Sequence, residues 1–386
     1  MRTSRTLPYA AGAAALVLAL TGCGASDGSD DEPDAGTTPS ASTSAPSTSS
    51  SSASPTPTGT SQPGGTADAP APATPRTDLL DWQPVDGSVD DTVTRGDDWT
   101  LTVADDGSTW RLQKSAGVTS SGTATATPGW QVSDTLLDDD WAVVVLQDEQ
   151  EQRPGRATVT NLESGKAYEL NGRSDVPTTN GGTWALGDDR LVHATYDRGA
   201  YCLAEVDLAS QKSTVAWCAP KRQGFNAAHV TDAGISVLSF DDSQPSCRTV
   251  VTIDGGDAVP FTGPADCKAW EGLVTDDGAV WSTIPREQRI EEAEYVARVG
   301  DGYFDLGPGV AGSLTECDGA AYFVRDPEVK GGPAALMRWT SDDGLSVVYE
   351  SPKGQAFVEA PRCGGDTMTL TARTSSGDQQ VTADLG

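Results

Sequence analysis

Beyond residue 76 the chain alternates short apolar runs with Gly, Asp, Asn and Pro, the signature of β-strands punctuated by turns. Only 286–294 has a helical pattern, and it reads as a loop insertion. An Asp- or Gly-containing turn followed by an apolar run recurs seven times. It appears as Asp97-Asp98-Trp99, Asp139-Asp140-Trp141, Asp189-Arg190-Leu191, Ala233-Gly234-Ile235, Asp277-Gly278-Ala279, Asp318-Gly319-Ala320 and Gly365-Asp366-Thr367. The last residues of these units lie 42, 50, 44, 44, 41 and 47 positions apart. Forty-odd residues without a helix is the length of four short antiparallel strands.

One unit shows the plan, with strands expected over 183–187, 191–197, 202–208 and 214–218, lettered a to d from the ring axis outward. The seventh unit supplies strands over 368–373 and 380–385, and the sequence ends before a fourth. Upstream, Leu79-Leu80-Asp81-Trp82-Gln83-Pro84-Val85 is an apolar segment of no other unit, placed to complete it. Joining the chain ends in one blade removes an open sheet edge. The expected fold is therefore all-β: a seven-bladed β-propeller of four-stranded antiparallel blades, closed by an N-terminal strand.

The first fifth of the chain has a different character. Arg2 and Arg5 precede an apolar stretch from Leu7 to Leu20, too short to span a bilayer as a helix and of signal-peptide length. Leu20-Thr21-Gly22-Cys23 resembles the bacterial lipobox, which implies cleavage before Cys23 and attachment of lipid, palmitate included, to its thiol. Residues 24–76 are rich in Ser, Thr, Pro, Ala and Gly and hold no aromatic side chain, so they cannot offset the entropy of ordering. As coil they reach roughly 40 Å, and as extended Pro-rich chain ~160 Å. The expected organisation is a lipoprotein signal peptide over 1–22, a disordered tether over 23–76 and the propeller over 77–386.

In period and turn chemistry the folded part resembles secreted seven-bladed propellers of the quinoprotein-like or WD-like kind, as found in actinobacterial lipoproteins. Neither a Gly-His to Trp-Asp blade signature nor an Ala-x-Asp-x-x-Thr-Gly-x-x-x-Trp docking motif recurs, so no quinone chemistry is carried over and no cofactor is expected.

The formal net charge is −30, from 56 Asp and Glu against 26 Lys and Arg. Such a surface repels nucleic acid and anionic head groups. Six cysteines remain after Cys23, an even number suited to disulfides in an exported chain. Equivalent blade positions pair Cys202 with Cys218, Cys247 with Cys267, and Cys317 with Cys363. With no Cys-x-x-Cys and only His193 and His229, Cys/His metal sites and a Ser-His-Asp triad lack raw material. Both histidines are expected to be packed side chains. No catalytic residue is assigned.

Trp130, Trp184, Phe225 and Trp270 fall near the starts of a-strands, beside the expected channel mouth, where aromatic rings can stack on a ligand. The b-to-c connections are long and charged, and Arg286 and Arg289 in one of them are candidate ion-pair donors. The expected ligand face is therefore the one carrying those loops. The a-to-b turns are expected to be undecorated, their Asp and Gly serving the backbone. The functional expectation is a monomeric, lipid-anchored extracytoplasmic binding or protein-interaction module at the outer face of the cell membrane, with an envelope glycan or envelope protein as partner. The alternative is a carbohydrate-active hydrolase or lyase of the envelope using propeller-face carboxylates.

The lipobox reading is tested by fractionation: wild type should sediment with membranes and Cys23→Ala should be released, and equal membrane association of the two would refute it.

Overall fold

The structure is a computed structural model that describes residues 63–386, apart from 116, 124–127 and 264–265. Cys23, the apolar stretch before it and most of the expected tether lie outside the described residues.

Strand follows strand with almost no helix; within 286–294 the backbone makes only the 3₁₀ turn Ile290–Glu292. Five meanders form discrete sheets: 92–123, 184–218, 223–260, 269–308 and 315–350. Within each, consecutive strands pair antiparallel, as Trp184–Gly187, Arg190–Asp197, Ala200–Asp207 and Lys212–Cys218 do. This is a propeller-type fold. Seven separate blades were expected; five are discrete, and the strands of 130–170 and 356–384 run together in one nine-stranded sheet. The junction is a single parallel pair, Leu137 with Gly364, between two innermost strands. Glycine permits it: a Cβ on Gly364 would stand 2.3 Å from the Arg95 carbonyl oxygen, so only a bare backbone lets three inner strand ends meet there.

The reason for the stacking is apolar. Six buried clusters occur among the described residues, each shared by consecutive meanders; Leu203, Trp217, Phe225 and Val237, for example, lock 184–218 against 223–260. Strand alternation explains this, since the two faces of every inner strand look at different neighbours and both must be apolar. Between residues 90–123 and 356–384 no such cluster lies among the described residues, and hydrogen bonds join them instead. Arg373 Nη1 donates to Asp90 at 2.7 Å, Gln380 Nε2 to the Asp91 carbonyl at 3.1 Å, and the Arg95 amide to Thr369 Oγ1 at 3.1 Å.

The N-terminal segment differs from expectation at both ends. Paired backbone begins inside the span assigned to the tether: Gly65 bridges Tyr303, Ala71–Pro72 runs parallel to Gly302–Pro308, and Arg76–Thr77 parallel to Gly344–Glu350. Of the expected closing strand over 79–85, only Gln83–Pro84 pairs with Gln379–Asp384. The Val85 amide extends this pairing, donating to the Gln380 carbonyl at 2.9 Å, but the part before it is drawn to the preceding sheet, where the Leu80 amide and Trp82 Nε1 both donate to the Val348 carbonyl, at 3.0 and 2.8 Å, and the Trp82 ring meets Tyr349 edge-on at 5.3 Å. The segment is thus a strap along the outer edges of three successive meanders.

The three cysteine pairings are those expected from blade equivalence: Cys202–Cys218, Cys247–Cys267 and Cys317–Cys363. The two shorter loops, with separations of 16 and 20 residues, are each worth roughly 3 kcal/mol in the chain-entropy account.

Trp82→Ala removes both the strap's indole hydrogen bond and its ring contact. It should cost about 2 kcal/mol, measured by denaturant unfolding of the full chain. An unchanged midpoint would show that the strap does not hold the ring.

Candidate functional site

Where the a-strands end, their turns converge. The strand Trp184–Gly187 runs into Asp188 and Asp189, both at left-handed φ of 49° and 54°, and Thr315–Cys317 runs into Asp318 and Gly319 at 48° and 70°. Asp and Gly are favoured there because the backbone demands that conformation. Because the strands converge on one axis, the side chains of separate turns also meet. They surround a cavity of about 510 Å³.

Seven carboxylates line it: Asp138, Asp139, Asp188, Asp232, Glu316, Asp318 and Asp366. Against them stand Arg362 and His229. Asp188 is paired with Arg190 at 2.8 Å, but Asp139, Asp232, Asp318 and Asp366 have no ion-pair partner among the described residues. Asp138 Oδ1 accepts from the Asp140 and Trp141 amides at 3.0 and 2.6 Å, and Glu316 from the Gly319 amide at 2.8 Å. Those bonds favour the ionised forms, but desolvation outweighs them, helped by neighbouring carboxylates, and both groups are pushed up to about 7. Asp139 and Asp366 are raised as well, by desolvation first and then by like charge, from Asp366, Asp97 and Asp140 on the former and from Asp318, Asp97 and Asp384 on the latter. Desolvation pulls His229 down to about 4, so it contributes no positive charge at neutral pH. Buried Thr94 also lines the cavity, and its Oγ1 has no hydrogen-bond partner. Among the described residues no three His, Cys, Asp or Glu side chains are grouped to hold a metal ion.

The aromatic residues sit at the starts of a-strands, but in different settings. Trp184 lines the cavity and stacks on His193, with 5.0 Å between centroids. Trp130 and Phe225 are 2% exposed, so contrary to expectation neither presents a ring face to a ligand. Trp130 lies under Arg153 and Arg156 of its own meander, and Phe225 stacks on Tyr201 of the neighbouring sheet at 4.5 Å, so these residues take their faces. Trp270 is half-buried under Arg248. Arg289 is held by Glu291 and Glu292 of its own loop and is not a free donor, whereas Arg286 is exposed. His193 is fully buried, as expected of a packed side chain.

The long b-to-c loops lie at the opposite ends of the strands from this cavity. The described site is thus on the face expected to be undecorated, where the sequence points to backbone duty for its carboxylates. The missed signal was their recurrence at equivalent turns, which a ring converts into proximity.

No protein-family profile matches the chain, and no curated protein matches it. Solved structures do resemble it. The β-propeller domain of the Trilobed protease from Pyrococcus furiosus aligns at 11% identity with a TM-score of 0.49, over 81% of this chain and 95% of that one. An oligogalacturonate lyase in complex with manganese aligns at 13% and 0.49, over 82% and 98%. A prolyl endopeptidase aligns at 12% and 0.49 over 76% of this chain, which spans only 46% of that enzyme. At such identities the likeness is one of fold.

Because folding raises Asp138 and Glu316, the folded protein holds protons between about pH 4 and 7 that the unfolded chain releases. Stability should therefore fall as pH rises through that window. Thermal melts from pH 5 to 8 should show the decline in wild type and a flatter profile in Glu316→Gln; parallel profiles would remove Glu316 from the account.

Proposed function

We propose that this protein is a lipid-anchored extracytoplasmic binding module whose acidic channel mouth receives a cationic group of an envelope partner. The observation that carries the reading is the cavity wall: four carboxylates without counter-charges around a concave mouth that also holds an unpartnered buried hydroxyl. A low-dielectric cleft lined by one sign of charge focuses its field on the opposite sign. The carboxylates are distributed around the rim with no three-residue metal grouping among the described residues, which favours an extended ammonium or guanidinium, the side chain of a basic protein segment, over a chelated ion. The expected lipid at Cys23 and the tether would present this mouth outside the membrane.

The same reading counts the two meanders of the nine-stranded sheet as separate blades of a sevenfold ring, with Gln83–Pro84 as the outermost strand of the last. One observation favours the carbohydrate-active alternative: Asp138 and Glu316 titrate near neutrality, where a carboxyl group can act as a general acid. Turnover of cell-wall glycan by wild type but not by Glu316→Gln would select it.

The binding reading is tested by anisotropy of a dye-labelled hexa-arginine peptide titrated with the full chain. Combined Asp139→Asn, Asp318→Asn and Asp366→Asn should weaken binding by about tenfold or more. A control that removes the same charge from exposed Glu163, Asp254 and Glu350, outside the cavity, should not. Equal loss in both would reduce the attraction to net charge and sink the site.

A further inference from the structure

At the other ends of the strands lies a cluster of the opposite sign. Cys247 and Cys267 are joined, and the residue after each is basic: Arg248 and Lys268. The disulfide sets these two residues side by side, where their backbones form a parallel bridge. Like charges at directly facing sheet positions repel. The Lys268 carbonyl accepts from the Ile284 amide at 2.8 Å, which brings in the loop carrying Arg286 two residues later. Lys268 and Arg286 are exposed, and neither has an ion-pair partner among the described residues. In a chain with 26 basic residues against 56 acids, three at one corner are an anomaly that needs a counter-charge.

Arg248 shows that need most clearly. The residue is 5% exposed, and its Nε and Nη1 are buried without a hydrogen-bond partner. Its guanidinium lies over the Trp270 ring, 5.4 Å from the centroid. Its ion-pair partner among the described residues is Glu287, on the Arg286 loop, with Oε1 4.0 Å from Nη1, too far for a hydrogen bond. A buried guanidinium with unmade bonds carries a desolvation cost that a well-placed anion offsets.

We infer that Arg248, Lys268, Arg286 and Trp270 form an anion subsite for a carboxylate-bearing ligand, in which Glu287 acts as a loosely seated internal substitute. The site is separate from the acidic mouth and does not rest on it. Arg supplies a planar fork matched to a carboxylate, Lys268 and Arg286 supply long-range attraction at the rim, and Trp270 fixes the guanidinium plane from one side. An incoming carboxylate displaces Glu287 outward, where that side chain is already half solvated. No covalent step is involved.

The probe is glucuronate, titrated into the full chain at constant ionic strength and followed by tryptophan fluorescence and by melting temperature. Glu287→Gln removes the internal competitor and should tighten binding by about tenfold over wild type. Because Arg248 belongs to the packed wall, the decisive further changes are made at exposed positions. Lys268→Gln and Arg286→Gln, each added to Glu287→Gln, should weaken binding by about threefold or more while leaving the ligand-free melting temperature in place. Glu287→Gln binding no more tightly than wild type would overturn the inference, as would indifference to Lys268→Gln and Arg286→Gln. An equal response to sulfate would overturn the carboxylate assignment.

Discussion

A ring of sheets must close, and here closure falls on a polar seam. Between consecutive meanders the contact is apolar, but 92–123 meets 356–384 through Arg373 with Asp90, Gln380 with the Asp91 carbonyl and Arg95 with Thr369. Exposed ion pairs of this kind contribute little individually. The strap adds what the seam lacks, engaging three successive meanders and lodging Leu80 and Trp82 against the last apolar cluster. The channel mouth sits beside this closure: Gly364 touches Arg95 there, and Asp366, two residues on, adds like charge to Asp139 of 130–170. Were the seam to open, the mouth would lose its concavity and its focused field together.

Much of the architecture was legible in the chain. The Asp/Gly period located every a-to-b turn, and the strands of 184–218 fall within about two residues of their expected bounds because hairpin turns such as Asp188-Asp189 announce themselves chemically. The cysteine pairs were legible for the same reason: equivalent blade positions are spatial neighbours. The merged nine-stranded sheet was not, since it hangs on the approach of Gly364 to Arg95, a contact between residues 269 positions apart with no local pattern. Nor was the early start of the strap, because Ala71–Pro72 and Arg76–Thr77 have linker composition and gain their order only from the edges they meet.

The site was legible in kind and misplaced in position. Periodicity reports which residues share a turn, not how far the turn lies from the ring axis. Trp130 and Trp184 hold the same place in their strands, yet one is buried beneath two arginines and the other lines the channel. The difference comes from Arg153 on a long loop and Arg156 at the start of the next strand, which cover the first ring, whereas the second is met by His193. Arg289 misled for a related reason: its neutralising partners, Glu291 and Glu292, are adjacent in sequence, and a 3₁₀ turn brings them onto it.

Two of the three disulfides stand beside concentrations of like charge, and this placement has a physical logic. Cys317 lies between Glu316 and Asp318, and its partner Cys363 precedes the turn bearing Asp366, so one cross-link holds three channel carboxylates near one another. Cys247 and Cys267 each precede a cation, and their bond holds Arg248 against Lys268. Non-covalent packing at such points would yield to repulsion, with the strand ends fraying until the charges reached solvent. A covalent link keeps the backbone fixed, so the charged groups stay where packing desolvates them: carboxyl groups at the mouth are raised towards neutrality, by burial first and by like charge second, and a guanidinium at the far corner is left under-bonded. Unsatisfied charge held in a rigid frame is the condition for binding the opposite charge, since the ligand then relieves a cost the protein already bears in its free state. The third bond, Cys202–Cys218, ties strands c and d of a single sheet, where it secures the outer edge.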